Sequence, residues 1–186
     1  MSQINAVTAP IINLPYEAPR FHGHIEVARE PQKREGRRPA SYFFRVPERA
    51  ARGKKGRPQA ALFDDTAKGQ EYLLDLANLL RQRVADWRAR NYEGATKTTR
   101  ELLALWRSPD RRQRLFFAQL EAAETVLFLV EGPDDLKQGI RVPLDEPGDD
   151  AKAQGYKAFL RYALKMATGS GKTTVMGMLA AWSILN

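Results

Sequence analysis

The stretch Met166–Thr174, MATGSGKTT, constrains this chain more than any other part of it. Gly169 and Gly171 have no Cβ, so the backbone there can turn tightly and enter the left-handed region. One apolar run, Tyr162–Ala167, precedes the turn, and a second, Val175–Leu185, follows it. The expected order is strand, glycine turn, helix. In that geometry successive N–H groups point into one concave loop and form a nest for an anion. The helix behind it adds the positive end of its dipole. Lys172 supplies a compact cation for β- and γ-phosphates, and the Thr173 hydroxyl suits Mg²⁺. Thr168, Gly169, Ser170, Gly171, Lys172, Thr173 and Thr174 are therefore the candidate phosphate-binding residues, with Thr173 holding Mg²⁺ through the nucleotide. ATP and Mg²⁺ are the expected cofactors. At ordinary residue usage, a chance Gly-x-Gly-Lys-Ser/Thr in a chain of this length is on the order of 1%.

From Gly69 the pattern turns helical. Leu73, Leu76, Ala77, Leu80, Val84 and Trp87 fall on one stripe at spacings of three and four, and the helix should fade near Asn91–Gly94. Thr98 and Glu101 read as a capping box ahead of Leu102, Leu103, Leu105 and Trp106. Ser108-Pro109 reads as an N-cap and first-turn proline for a third helix, which Gly132-Pro133 stops after Glu131. Upstream, Phe21–Val27 and Ser41–Val46 have strand composition, with turn-prone charged residues between them. Residues 1–20 read as an extended arm and Ala50–Pro58 as a linker. Leu144-Asp145-Glu146 lies between Pro143 and Pro147, so a central strand is disfavoured and a solvated loop is expected.

The chain is thus expected to be mostly α with a few short strands. Residues 1–68 form a basic, partly extended region and residues 69–131 a helical one. An acidic Pro/Gly loop covers 132–151, and the start of a phosphate-loop lobe covers 152–186. The helix from Lys172 is apolar nearly all round and needs partners on every side. Val175, Met176, Met178, Leu179, Trp182, Ile184 and Leu185 lack a sheet to cover them; the Gly69–Glu131 helices can cover some but not every face, so residues after about Gly132 are expected to be poorly ordered.

Charge is unevenly placed. The chain carries 30 Lys/Arg against 22 Asp/Glu, a net charge of +8. Arg29–Pro58 alone holds 11 Lys/Arg and 3 Asp/Glu, which accounts for the whole excess. A basic block of this kind can hold a phosphate backbone, and Arg34, Arg37, Arg38, Lys54 and Lys55 are the candidate DNA contacts. With no cysteine, disulfides and thiolate metal sites are excluded. His22 and His24 read as ordinary side chains. No apolar run approaches the ~20 residues of a membrane span. The N-terminal residues lack the pattern of a secretory signal. A cytoplasmic protein without a membrane partner is expected.

Met166 stands where the general phosphate-loop pattern has glycine. In that form the stretch resembles motif I of superfamily-two helicase and translocase ATPases. Three further stretches carry a narrower likeness: EGRRPASYF (Glu35–Phe43), NYEGATKTTRELLALW (Asn91–Trp106) and RLFFAQLEAAETVLFLVE (Arg114–Glu131). With KMATGSGKTTVMGMLAAWSILN they resemble the N-terminal part of the restriction subunit of type III-like restriction enzymes, DEAD/DEAH-related motors. The resemblance implies an α/β, RecA-like phosphate-loop lobe in the parent protein. It also implies DNA as a partner, a modification (methyltransferase) subunit as a second, and Gln119 as the group that reads the adenine edge. The alternative is a non-enzymatic, basic helical DNA-binding or adaptor module with a vestigial phosphate loop.

In these 186 residues only 13 follow Thr173, and no acidic motif II, second motor lobe or nuclease motif is among them. Phosphoryl transfer depends on such positioned charges, and an arginine finger alone is worth ~10³–10⁵ in rate. The chain as given is therefore expected to hydrolyse no ATP above background, with or without DNA. Steady phosphate release that disappears in Lys172→Ala would refute this.

Overall fold

The computed structural model describes residues 12–24, 32–45, 69–142 and 144–186. The described residues fall into two compact units, one drawn from 12–13 and 19–78 and the other from 14–18 and 79–186. Lys54, Lys55 and the linker Ala50–Pro58 lie outside the described residues.

The first unit is built on two antiparallel strand pairs. Strand β1 (Phe21–His24) pairs with β2 (Gln32–Glu35), and β3 (Ser41–Arg45) pairs with β4 (Gly69–Leu73). Two asparagines tie the ends. The Asn13 side chain donates to the Phe21 carbonyl at 2.8 Å and accepts from the Arg20 and Phe21 amides. Asn78 accepts from the Ala40 amide at 2.7 Å and donates to its carbonyl at 3.1 Å. Strand β2 falls where turn-prone residues were expected. Its sequence, QKRE, has no apolar alternation, and it is held by pairing and by Lys33 over the Phe21 ring at 3.9 Å. Strand β4 occupies the expected start of the first helix. Tyr72 faces Tyr42 across the pair, and such aromatic cross-strand contacts stabilise a sheet. The helix starts instead at Asp75, whose carboxylate suits the positive end of its dipole.

The second unit is helical. Helix α1 (Asp75–Ala89) leads into a turn where Asn91 and Tyr92 take φ of 51° and 56°. A left-handed tyrosine is rare. Here the ring is fixed on both ends, edge-on to Trp87 with centroids 5.1 Å apart and with its hydroxyl donating to Glu124 at 2.7 Å. Helix α2 (Lys97–Arg107) is capped by Thr96, whose hydroxyl accepts from the Thr99 amide at 3.1 Å. The expected Thr98–Glu101 box does not form. Thr98 lies inside the helix, and Glu101 pairs loosely with Lys97.

Ser108 is the C-cap of α2, not the N-cap of the third helix. That helix, α3 (Phe117–Glu131), starts later, because Gln119 turns back and accepts from the Phe116 amide at 2.8 Å. Phe116 has no side-chain acceptor, so only this half of a capping box exists. Short helices α4 (Asp134–Lys137) and α5 (Asp149–Ala153) follow, with two-residue strands β5 (Leu144–Asp145) and β6 (Phe159–Leu160) paired antiparallel. Leu144-Asp145 is thus a short strand rather than a loop, though Leu144 is solvated as expected. Helix α6 (Lys172–Leu185) packs on α3 and α2.

The core gathers Val84 and Trp87 of α1, Leu103 and Trp106 of α2, Leu120, Ala123, Leu127 and Phe128 of α3, and Met178 of α6. At its centre lies a charge. Glu124 has no exposed surface, yet it binds the guanidinium groups of Arg88 and Arg107 and the Tyr92 hydroxyl. Burial alone would lower the Arg88 pKa, but the Glu124 hydrogen bond and charge outweigh it and hold the guanidinium above its ordinary value. Burial, followed by the charge of Glu124, pushes the Tyr92 phenol well above its usual range. A second polar cluster ties α6 down at its far end. Trp182 donates to Thr99 at 2.7 Å and to Glu131 at 3.2 Å, and Asn186 donates to Glu131 at 3.0 Å.

Removing one member of a buried ion pair strands its partners and typically costs ~3–5 kcal/mol. Glu124→Ala is expected to destabilise the helical unit by about that amount in urea denaturation. A loss under 1 kcal/mol would show that the three helices do not depend on this carboxylate.

Candidate nucleotide-binding site

The glycine loop has the conformation its residues require. Gly169 and Gly171 take φ of 78° and 82°, a region that side chains with a Cβ rarely enter. Ser170 closes the turn, its amide and hydroxyl both donating to the Ala167 carbonyl, at 3.3 and 2.7 Å. Helix α6 begins directly behind, with Gly171 as an N-cap that offers no side-chain acceptor. The first amides of any helix lack intrahelical partners, so this end presents donors as an anion site demands. Thr168, Gly169, Lys172, Thr173 and Thr174 are exposed, and Ser170 and Gly171 half-buried. Lys172 folds back over the loop, its Nζ donating to the Met166 and Ala167 carbonyls at 3.3 and 3.2 Å. An amine held there has its charge over the loop mouth and can exchange two neutral acceptors for a phosphate, a stronger, charge-assisted partner.

Residues far apart in sequence complete the site. Gln119, in the first turn of α3, is 6% exposed. A Cβ placed on Gly171 would collide with the Gln119 Nε2. The glutamine amide therefore lies against the phosphate loop itself, and Gly171 is required twice over, by its φ and by this approach. Gln119 and Thr174 line a cavity of about 130 Å³ together with Arg111, Gln113, Arg114 and Phe116. Its size is below the ~300–1,000 Å³ of pockets that enclose a whole small ligand. It is too small to enclose a whole nucleotide. Arg114 sits over the Tyr16 ring at 4.5 Å, and Tyr16 packs on Phe116 with centroids 5.6 Å apart.

Arg111, Arg114 and Tyr16 were not among the expected site residues. The run RRQR ahead of Phe116 was the available signal, but it fell inside the third helix expected from Ser108, which starts later in the structure. Against expectation, Tyr162–Ala167 forms no strand. The strand nearest the loop is β6, and it pairs antiparallel with β5. A parallel strand is stable only inside a sheet covered on both faces, and the described residues place no parallel neighbour beside it. The helix after the loop is covered in part, as expected, by the helices of residues 69–131. Val175 and Met178 are buried and Leu179 and Trp182 half-buried, because α3 and α2 take the place of a sheet, while Met176, Ile184 and Leu185 stay exposed.

The candidate DNA contacts lie in the first unit. Arg34 stands on β2 opposite His22, and Arg37 and Arg38 lie between β2 and β3. Arg38 approaches Glu71 at 3.9 Å, with both side chains more than half exposed. Such a pair adds little to stability. Among the described residues no group of His, Asp or Glu is arranged to hold a metal ion, and no helix is long and apolar enough to cross a membrane. Compared with known proteins, the chain matches no family profile, no curated protein and no solved structure.

The two glycines separate conformation from contact. Gly169 has open space where a Cβ would stand, whereas Gly171 has Gln119. Gly169→Ala is expected to cost only the left-handed penalty of ~1–2 kcal/mol. Gly171→Ala should cost more, and Gln119→Ala should remove the difference. Equal costs by denaturant titration for both glycine variants would refute the Gln119 contact.

Proposed function

We propose that this chain is the ATP-binding N-terminal portion of a DNA helicase- or translocase-type restriction subunit. The observation that carries the reading is the contact of Gln119 with Gly171. On this reading the Gln119 amide meets the adenine edge, which it can both donate to and accept from. The Thr168–Thr174 loop cradles the phosphates, Lys172 neutralises the β- and γ-oxygens, and Thr173 joins Mg²⁺. The approach of Gln119 to Gly171 joins residues 52 apart in the chain, and local pattern does not force it. The cationic Arg111 and Arg114 beside the same cavity support an anionic ligand. DNA and a modification (methyltransferase) subunit are the partners this reading implies. The 186 residues bind nucleotide and do not complete its hydrolysis.

One observation favours the alternative, a basic helical DNA-binding or adaptor module with a vestigial loop. The parallel strand that normally anchors a phosphate loop is not formed among the described residues. Nucleotide binding separates the two readings. A fluorescent ATP analogue with Mg²⁺ should bind, and Lys172→Ala should weaken it about tenfold or more, since a hydrogen bond to a charged group is worth roughly 1.5–3 kcal/mol. Thr173→Ala should reduce the Mg²⁺ dependence, and Gln119→Ala should narrow the preference for ATP over GTP. Equal affinity in wild type and Lys172→Ala would overturn the assignment.

A further inference from the structure

Strand pair β3–β4 exposes aromatic rings that the nucleotide site does not use. In its register Tyr42 faces Tyr72 and Phe44 faces Gln70. Side chains alternate along a strand, so these four residues share one face. Tyr42, Phe44 and Tyr72 are 49%, 51% and 41% exposed. Tyr42 and Tyr72 stack on each other with centroids 5.3 Å apart and planes 17° from parallel. The Tyr72 hydroxyl donates to Gln70 Oε1 at 2.7 Å, which fixes its ring. Solvent-exposed, pre-stacked rings are an unfavourable use of apolar surface unless something covers them.

Charge identifies the cover. Tyr42 and Phe44 belong to the one segment that carries the chain's whole excess charge, +8 between Arg29 and Pro58, and Tyr72 is paired to it across the strands. An apolar protein partner gains nothing from that charge, whereas a nucleic acid strand offers both phosphates and flat π-faces. Duplex DNA hides its base faces in the stack, so rings on a flat strand pair meet bases only in an unpaired strand. Tyr42 and Phe44 are two residues apart, about 7 Å along the strand. That is twice the ~3.4 Å step of bases along one DNA strand, a spacing that an unpaired strand lying along the pair can match. We propose that the Tyr42–Phe44–Tyr72 face is a stacking platform for an unpaired DNA strand, with the neighbouring basic residues holding its phosphates. The choice of DNA over RNA rests on the function proposed above; the platform itself does not.

The test is fluorescence anisotropy of the 186-residue chain with a labelled 20-nucleotide thymidine strand, the matching uridine strand and a 20-base-pair duplex. The thymidine strand should bind at least tenfold more tightly than the duplex. Tyr42→Leu with Tyr72→Leu keeps apolar bulk and removes stacking, and should weaken single-strand binding about tenfold or more per ring lost, leaving duplex binding unchanged. Phenylalanine at both positions should restore it, which a mere folding defect would not allow. Lys172→Ala should leave single-strand binding intact, so failure of the nucleotide site and failure of the platform are read separately. Equal affinity for single strand and duplex, or wild-type binding in the leucine variant, would overturn the proposal. So would a preference for the uridine strand, or a dimer in sedimentation that the leucine variant abolishes.

Discussion

Glu124 places a carboxylate where no water reaches it, and three helices are arranged around the need to satisfy it. Arg88 arrives from α1, Arg107 from the end of α2 and Tyr92 from the turn between them. An isolated charge in that position would be strongly unfavourable. Two guanidinium groups and a phenol turn it into a junction that fixes which helix faces meet. Tyr92 accepts a left-handed backbone to reach it. The apolar contacts of Trp87, Leu103, Trp106 and Phe128 supply most of the favourable burial. They are less selective about geometry than the charged cluster they surround.

Helix α3 transmits that order to the phosphate loop. Glu124 sits near its middle, Glu131 at its end and Gln119 in its first turn. Glu131 joins Thr99, Trp182 and Asn186, which holds the far end of α6 against α2. Gln119 meets Gly171 at the start of α6. Contacts at both ends mean that α3 and α6 run side by side in the same direction. The loop is thereby positioned by a helix pair, although its preceding strand has no parallel sheet. This accounts for how α6 buries Val175 and Met178 without one.

Several elements were legible because their signals are local. The stripe from Leu76 to Trp87 and the stop at Gly132-Pro133 gave a helix end and a helix face that the structure keeps. The glycine loop was legible because only glycine enters the left-handed region without penalty. Helix starts were less legible. Thr98–Glu101 and Ser108-Pro109 are good caps on paper, yet Thr96 and Gln119 supply the bonds. Several hydroxyl and amide side chains compete for one set of amides, and packing decides among them. Strands β2 and β4 were missed for a related reason. QKRE and GQEYL have weak patterns of their own, and pairing with β1 and β3 makes them strands.

By itself the sequence determined what depends on one residue and its neighbours: the glycine turn with its lysine, the helical stripes of residues 76–131, the charge concentrated between Arg29 and Pro58, and the lack of any thiol chemistry. Only the tertiary structure decided that a buried glutamate organises the helices, that Gln119 touches Gly171, that Leu144-Asp145 pairs with Phe159-Leu160, and that Tyr42 and Tyr72 stack. Each of these joins residues distant along the chain. Sequence periodicity reports which face of an element is apolar, but it carries no information about which other element arrives there. That choice belongs to the summed packing and hydrogen bonding of the folded chain.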